Sequence, residues 1–136
     1  MSARLIRIAG IYLVVGVAMG IVMGITQHFS LAPVHAHINL LGWASLAIMG
    51  VIYHLHPQAA QTRLARIHFW VHNIALPLFM LGLAMVLSGH EAFVPLVIIG
   101  ASAVALGILV FVVNLWRCVR PTHSQDGDAR TARAAT

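Results

Sequence analysis

The chain has 136 residues, of which 60% are hydrophobic and only 8% charged, against about 45–50% apolar and about 25% charged for an average soluble domain. Eleven charged side chains cannot cover the surface of a soluble fold of this size, which excludes a soluble globular domain, a disordered chain and a coiled coil. The bilayer is therefore the expected solvent: at roughly 20 apolar residues per membrane-spanning helix, the length allows four or five spans. There is no lysine, and the net charge of +5 comes from eight arginines (4, 7, 63, 66, 117, 120, 130 and 133) against Glu91, Asp126 and Asp128. The arginines sit in short clusters between apolar runs, which argues against a nucleic-acid partner. The single Cys118 excludes an internal disulfide and reads as an inert thiol.

In chain order, the first apolar run covers about residues 8–27, behind Arg4 and Arg7. Its apolar stretch is longer than the 7–15 residues of a cleaved signal and no small-x-small site follows it, so a retained span is expected. Gly16, Gly20 and Gly24 recur on one face. Such a ridge serves either as an oligomer seam or for packing within the same chain. The second run, 35–56, is opened by Pro33, a residue suited to a first helical turn, and stops at Pro57. The third, 67–88, carries Asn73 and Pro77, and Pro77 is expected to kink it and free a backbone carbonyl. The fourth, 93–116, ends in Trp116-Arg117-Cys118. Open strands are excluded in lipid because they leave backbone groups unpaired, so all four runs must be helices. Short connections make neighbours antiparallel. The expected fold is all-α: an integral-membrane four-helix bundle over residues 1–120, with a polar, disordered cytoplasmic tail at 121–136. With four spans, every arginine falls on one side, a positive-inside pattern that places both termini in the cytoplasm.

Nine histidines in so apolar a chain demand an account, because an ionisable residue inside a membrane is a functional hypothesis by default. His28, His35, His37 and His90 fall toward the outer side; His54, His56, His68 and His72 fall toward the inner side; His123 is in the tail. His35 and His37 are two apart, about 200° around a helix. They cannot bind one metal ion from that helix, but they can serve two different cofactors on opposite flanks, or simply lie at the polar interface. His68 and His72 are four apart and share a face, and with His54 and His56 across the short loop they form a candidate copper or zinc site, or a set of interfacial residues. Asn39 and Asn73 are placed to hydrogen-bond between helices. The methionines read as packing. No nucleophile–base pair, phosphate loop or carboxylate pair is present, and no acid lies within a span, so no catalytic residue is assigned and a proton pump using buried carboxylates of this chain is not expected.

The stretch from His35-Ala36-His37-Ile38-Asn39-Leu40-Leu41-Gly42-Trp43, through Tyr53-His54-Leu55-His56-Pro57, to His68-Phe69-Trp70 resembles the catalytic subunit of the heme-copper oxidase superfamily, especially C-type oxidases and nitric-oxide reductases. There a His-x-His opens the tenth of twelve core helices, and its two histidines ligate two different hemes on opposite sides of the helix. The resemblance implies that His35 matches the axial ligand of the active-site heme and His37 a ligand of the low-spin heme, with heme b as the cofactor. It covers about residues 33–90. Four spans and no His-His pair depart from the family pattern, so the single chain is not a complete oxidase. The family arranges its twelve helices as three arcs of four, which implies a homotrimer of this chain, a redox partner, and residence in a bacterial-type inner membrane. Two alternatives stay open: a heme-free copper- or zinc-binding or transport protein using the inner histidines, and a structural or assembly subunit with remnant histidines.

Overall fold

The computed structural model describes residues 1–119; the tail expected at 121–136 lies outside them. Four of its helices are long and apolar enough to cross a membrane: α1 (Ser2–Thr26), α2 (Ala32–Leu55), α4 (Arg63–Leu87) and α5 (Glu91–Cys118). A short α3 (Pro57–Ala60) fills the connection between α2 and α4. The all-helical membrane bundle read from composition is present. α1 and α4 begin a few residues earlier than the apolar runs, because their first turns are polar: Arg4, Arg7, Arg63 and Arg66 are all helical and exposed. Long aliphatic stems let such side chains reach water from within a helix.

Local signals account for the helix ends. α1 stops at Gln27, which takes the left-handed conformation at φ 56° and closes the helix as a C-terminal cap does. Pro33 lies in the first turn of α2 and Pro95 in the first α-helical turn of α5, which a 3₁₀ turn over Glu91–Phe93 precedes. At the start of α4, Thr62 Oγ1 accepts from Ala65 N at 3.0 Å, satisfying one of the amides a helix start leaves free. Gly89, at φ 91°, makes the tight turn from α4 into α5.

Outside water, helices gain nothing from hiding apolar surface from one another, so close van der Waals contact at small residues drives their packing. Gly100 on α5 lies against the backbone of Phe79 on α4, where a Cβ would come within 2.8 Å of Phe79 Cα. Gly82 faces Val97 N at 3.1 Å in the same sense. On the other side of the bundle, α1 packs along α2, with Gly42 beneath the Tyr12 ring and Gly50 beneath Ile6. The two hairpins meet through α2 and α4. One core cluster, at the arginine-bearing end, joins Leu5, Ala9, Leu46, Met49, Tyr53, Ala65, Phe69 and Phe111. A second, in the opposite half, joins Val34, Ile38, Ala75, Leu76, Phe79, Met80 and Val104. The outward surface is itself apolar, with Ile11, Leu40 and Ile99 among its most exposed side chains, as a bundle solvated by lipid requires.

Replacing Gly100 by leucine sets a side chain against immovable backbone and should destabilise the detergent-solubilised protein by about 1–3 kcal/mol. Gly24, whose Cβ would meet nothing within 4 Å, should accept alanine with an unchanged melting temperature. Thermal unfolding of the two variants, followed by circular dichroism, checks both.

Candidate functional site

His35 and His37 occupy the first turns of α2, half-buried on opposite flanks. His35 turns to α1, where its Nδ1–H donates to Gly16 O at 3.0 Å. Gly20 lies under the same ring, 3.1 Å from Cε1 to a Cβ position, and Asn39 fills the space over Gly16 while donating to His35 O at 2.9 Å. The glycine ridge of α1 is thus used within the chain: Gly16 and Gly20 receive Asn39 and His35, and only Gly24 faces open space. His37 turns to α4, with its ring edge-on to Phe79 at a centroid distance of 5.2 Å. Its Nδ1–H donates to Pro33 O at 2.7 Å. A carbonyl can only accept, so both rings carry their proton on Nδ1 and keep the Nε2 lone pair. That is the arrangement that orients a histidine as a metal ligand. The donor chemistry at both positions therefore fits ligation of a heme iron through Nε2.

Immediately after His37 the helix widens into a π-segment, Ile38–Ala44. Its last amide, Ser45 N–H, reaches back five residues to Leu40 O, and the Ser45 hydroxyl donates to the same carbonyl at 2.8 Å. Where pairing returns from i−5 to i−4, one carbonyl is passed over. That carbonyl is Leu41 O, and His72 Nε2–H of α4 donates to it at 3.2 Å. An unpaired buried carbonyl would cost about 1–3 kcal/mol, so His72 completes the backbone of α2.

His68 and His72 are both fully buried, with ring centroids 5.7 Å apart. His68 Nδ1 lies 3.4 Å from the Tyr53 hydroxyl. Asn114 Nδ2 lies 3.4 Å from the same hydroxyl and donates to Ala59 O at 2.9 Å, while Thr62 Oγ1 donates to Asn114 Oδ1 at 2.8 Å. The Cys118 thiol, 3.7 Å from Asn114 Oδ1, closes the lower edge.

The four-histidine convergence expected at this end is not what the structure places together. His68 and His72 share the interior, but His54 is exposed and His56 half-buried, and among the described residues no three metal-ligating side chains gather. The physical reason is rotational. Tyr53 takes the inward position, which turns His54 about 100° away. His56 has already left the helix, at φ −122° and ψ 73°. Tyr53, Asn114, Thr62 and the Leu41 carbonyl are the members that sequence reasoning missed. Asn114, a lone amide near the end of an apolar run, was the available signal for the first three. His28 and His90 are exposed at the opposite end.

The cbb3-type cytochrome c oxidase subunit CcoN1 of Stutzerimonas stutzeri is 29% identical over 126 aligned positions, which cover 70% of this chain and 26% of that protein. The chain therefore spans about a quarter of that relative's length. It is a weak homologue of an oxidase catalytic subunit, with four helices apolar enough for a membrane. No family model matches the chain, and no solved structure does.

Replacing His72 by phenylalanine leaves Leu41 O without a donor and should cost about 1–3 kcal/mol. His72→Gln, whose amide can still donate, should recover part of that. Melting temperatures in detergent, compared across the three proteins, measure the difference.

Proposed function

We propose that the chain is a heme-binding membrane protein of the oxidase type, holding heme b through His35 and His37 for electron transfer or for binding of oxygen or nitric oxide. The observation that carries the reading is the pair of opposed imidazoles, each with Nδ1–H tied to a backbone carbonyl and Nε2 left as the ligand, in a chain that aligns with an oxidase catalytic subunit. The bound heme would supply a one-electron couple when both axial positions are filled and gas binding when one is open. The residues of this chain set orientation: Gly16 O and Gly20 fix the His35 ring, while Pro33 O and Phe79 fix that of His37.

Each histidine provides one axial ligand, so the second ligand of an iron must come from elsewhere. In our reading it comes from another copy. Four helices in which α1 and α5 are the outer members match one arc of a twelve-helix oxidase, and three copies restore the count. His35 of one subunit and His37 of the next would then share a heme at each of three equivalent interfaces. We place the arginine-bearing end in the cytoplasm and the His35–His37 end on the opposite face of a bacterial cytoplasmic membrane, on the positive-inside pattern. As one arc, the protein would act with a redox partner.

Expression with ample heme should give a protein with a Soret band and reduced-minus-oxidised b-type difference bands. Native mass spectrometry should give a trimer. His35→Ala and His37→Ala should each lower heme content several-fold, whereas His54→Ala and His56→Ala should leave it unchanged. A purified, folded wild type with no Soret absorption would refute the reading, and a monomer or dimer would refute its trimeric form.

A further inference from the structure

The polar groups buried between α2, α4 and α5 have a direction. Thr62 Oγ1–H donates to Asn114 Oδ1, and the Asn114 amide points one hydrogen at the Tyr53 oxygen. The Tyr53 hydroxyl hydrogen is then free to donate to His68 Nδ1, which puts the proton of the neutral His68 ring on Nε2. At the far end, the Leu41 carbonyl can only accept, so His72 carries its proton on Nε2 and a lone pair on Nδ1. Thus His68 Nε2 is a donor and His72 Nδ1 an acceptor. Both atoms are buried without a hydrogen-bond partner among the described residues, on rings 5.7 Å apart between centroids. One donor and one acceptor, complementary, fully buried and one helical turn apart on α4, form the only break in an otherwise continuous chain.

We propose that this break is a binding site for water, accepting from His68 Nε2–H and donating to His72 Nδ1. A water held at about 2.8 Å on each side joins atoms up to about 5.6 Å apart, and the two rings are neighbours, with centroids 5.7 Å apart. Buried water of this kind makes two to four hydrogen bonds to groups otherwise left unpaired. The alternative is two unpaired polar atoms in a bundle surrounded by hydrocarbon. With the water in place, hydrogen bonds run unbroken from Thr62 through Asn114, Tyr53, His68 and His72 to the Leu41 carbonyl. Tyr53, a member of the run, also lines a groove of about 320 Å³ at the arginine-bearing end, together with Met1, Ser2, His54, Pro57 and Gln61. The site does not depend on heme and stands whether or not His35 and His37 bind it.

Solid-state NMR of the full chain, labelled with ¹⁵N-histidine and reconstituted in lipid bilayers, tests this directly. His68→Gln and His72→Gln assign the two rings. Both should be neutral and protonated on Nε2, and magnetisation from water should reach His68 Nε2–H in a water-edited spectrum. His72→Phe removes the accepting arm and should reduce that transfer several-fold while the helical backbone shifts persist. A ring protonated on Nδ1, or the absence of water transfer to His68 in the wild type, would overturn the proposal. The wild-type spectra decide it alone if His72→Phe fails to fold.

Discussion

The two halves of the bundle are joined at mid-height by a hydrogen bond to one carbonyl, that of Leu41. In water, the carbonyl passed over where α2 returns from π to α pairing would be solvated at little cost. Between apolar helices it needs a donor from a neighbour, and His72 Nε2–H provides one. That bond fixes the rotation of α4 against α2 at mid-height. It thereby carries His68, one turn away on the same face, onto Tyr53. It also stabilises the π-segment that sets the angular phase between the His35–His37 turns above and the Tyr53 turn below. Without the π-segment, about 100° of helix rotation would separate the two ends of α2 differently. The candidate ligands and the buried polar chain therefore share one mechanical origin.

Glycine does for the hairpins what the carbonyl does for their docking. Gly82 and Gly100 bring α4 and α5 to backbone contact, while Gly16, Gly20, Gly42 and Gly50 make room between α1 and α2 for the side chains of Asn39, His35, Tyr12 and Ile6. Two of these positions also serve the candidate ligand. Gly16 offers His35 its carbonyl because α2 can approach closely enough, and Gly20 leaves room for the imidazole. Packing and ligand orientation at that end of the bundle are the same set of contacts.

Much of the fold was legible because a bilayer leaves few choices: apolar runs of spanning length must be helices, and short loops make them antiparallel. The opposed directions of His35 and His37 follow from helical rotation alone, and the structure sends one to α1 and the other to α4. Of the inner group, the structure brings His68 and His72 together but not His54 and His56, because sequence proximity across a loop is not convergence. Tyr53 claims the inward position, and the chain turns out of helix at His56 before Pro57. The π-segment was invisible, since no residue type demands it. Its only trace is a histidine one helix away whose purpose becomes clear once the carbonyl it serves is known. Asn114 stands near a helix end, where an amide draws no notice in the sequence, and burial makes it the junction of Thr62, Ala59 and Tyr53.

The tight approach of Gly100 to Phe79 bears on the order in which the molecule is built. α4 and α5 are joined by only a few residues and locked backbone to backbone, so they can insert and associate as one unit without help from the rest of the chain. α1 and α2 form a second such hairpin on a short loop, packed through glycines that seat side chains of the facing helix. The Tyr53–His68, Asn114–Tyr53 and His72–Leu41 bonds all cross between these units, and none can form until the units dock. The links of the buried polar chain that cross between the units thus form only on docking, whereas its Thr62–Asn114 bond lies within the α4–α5 unit. Until docking, the donors and acceptors of the crossing links remain exposed to lipid, a penalty that drives docking toward the single rotational setting in which all of them are paired.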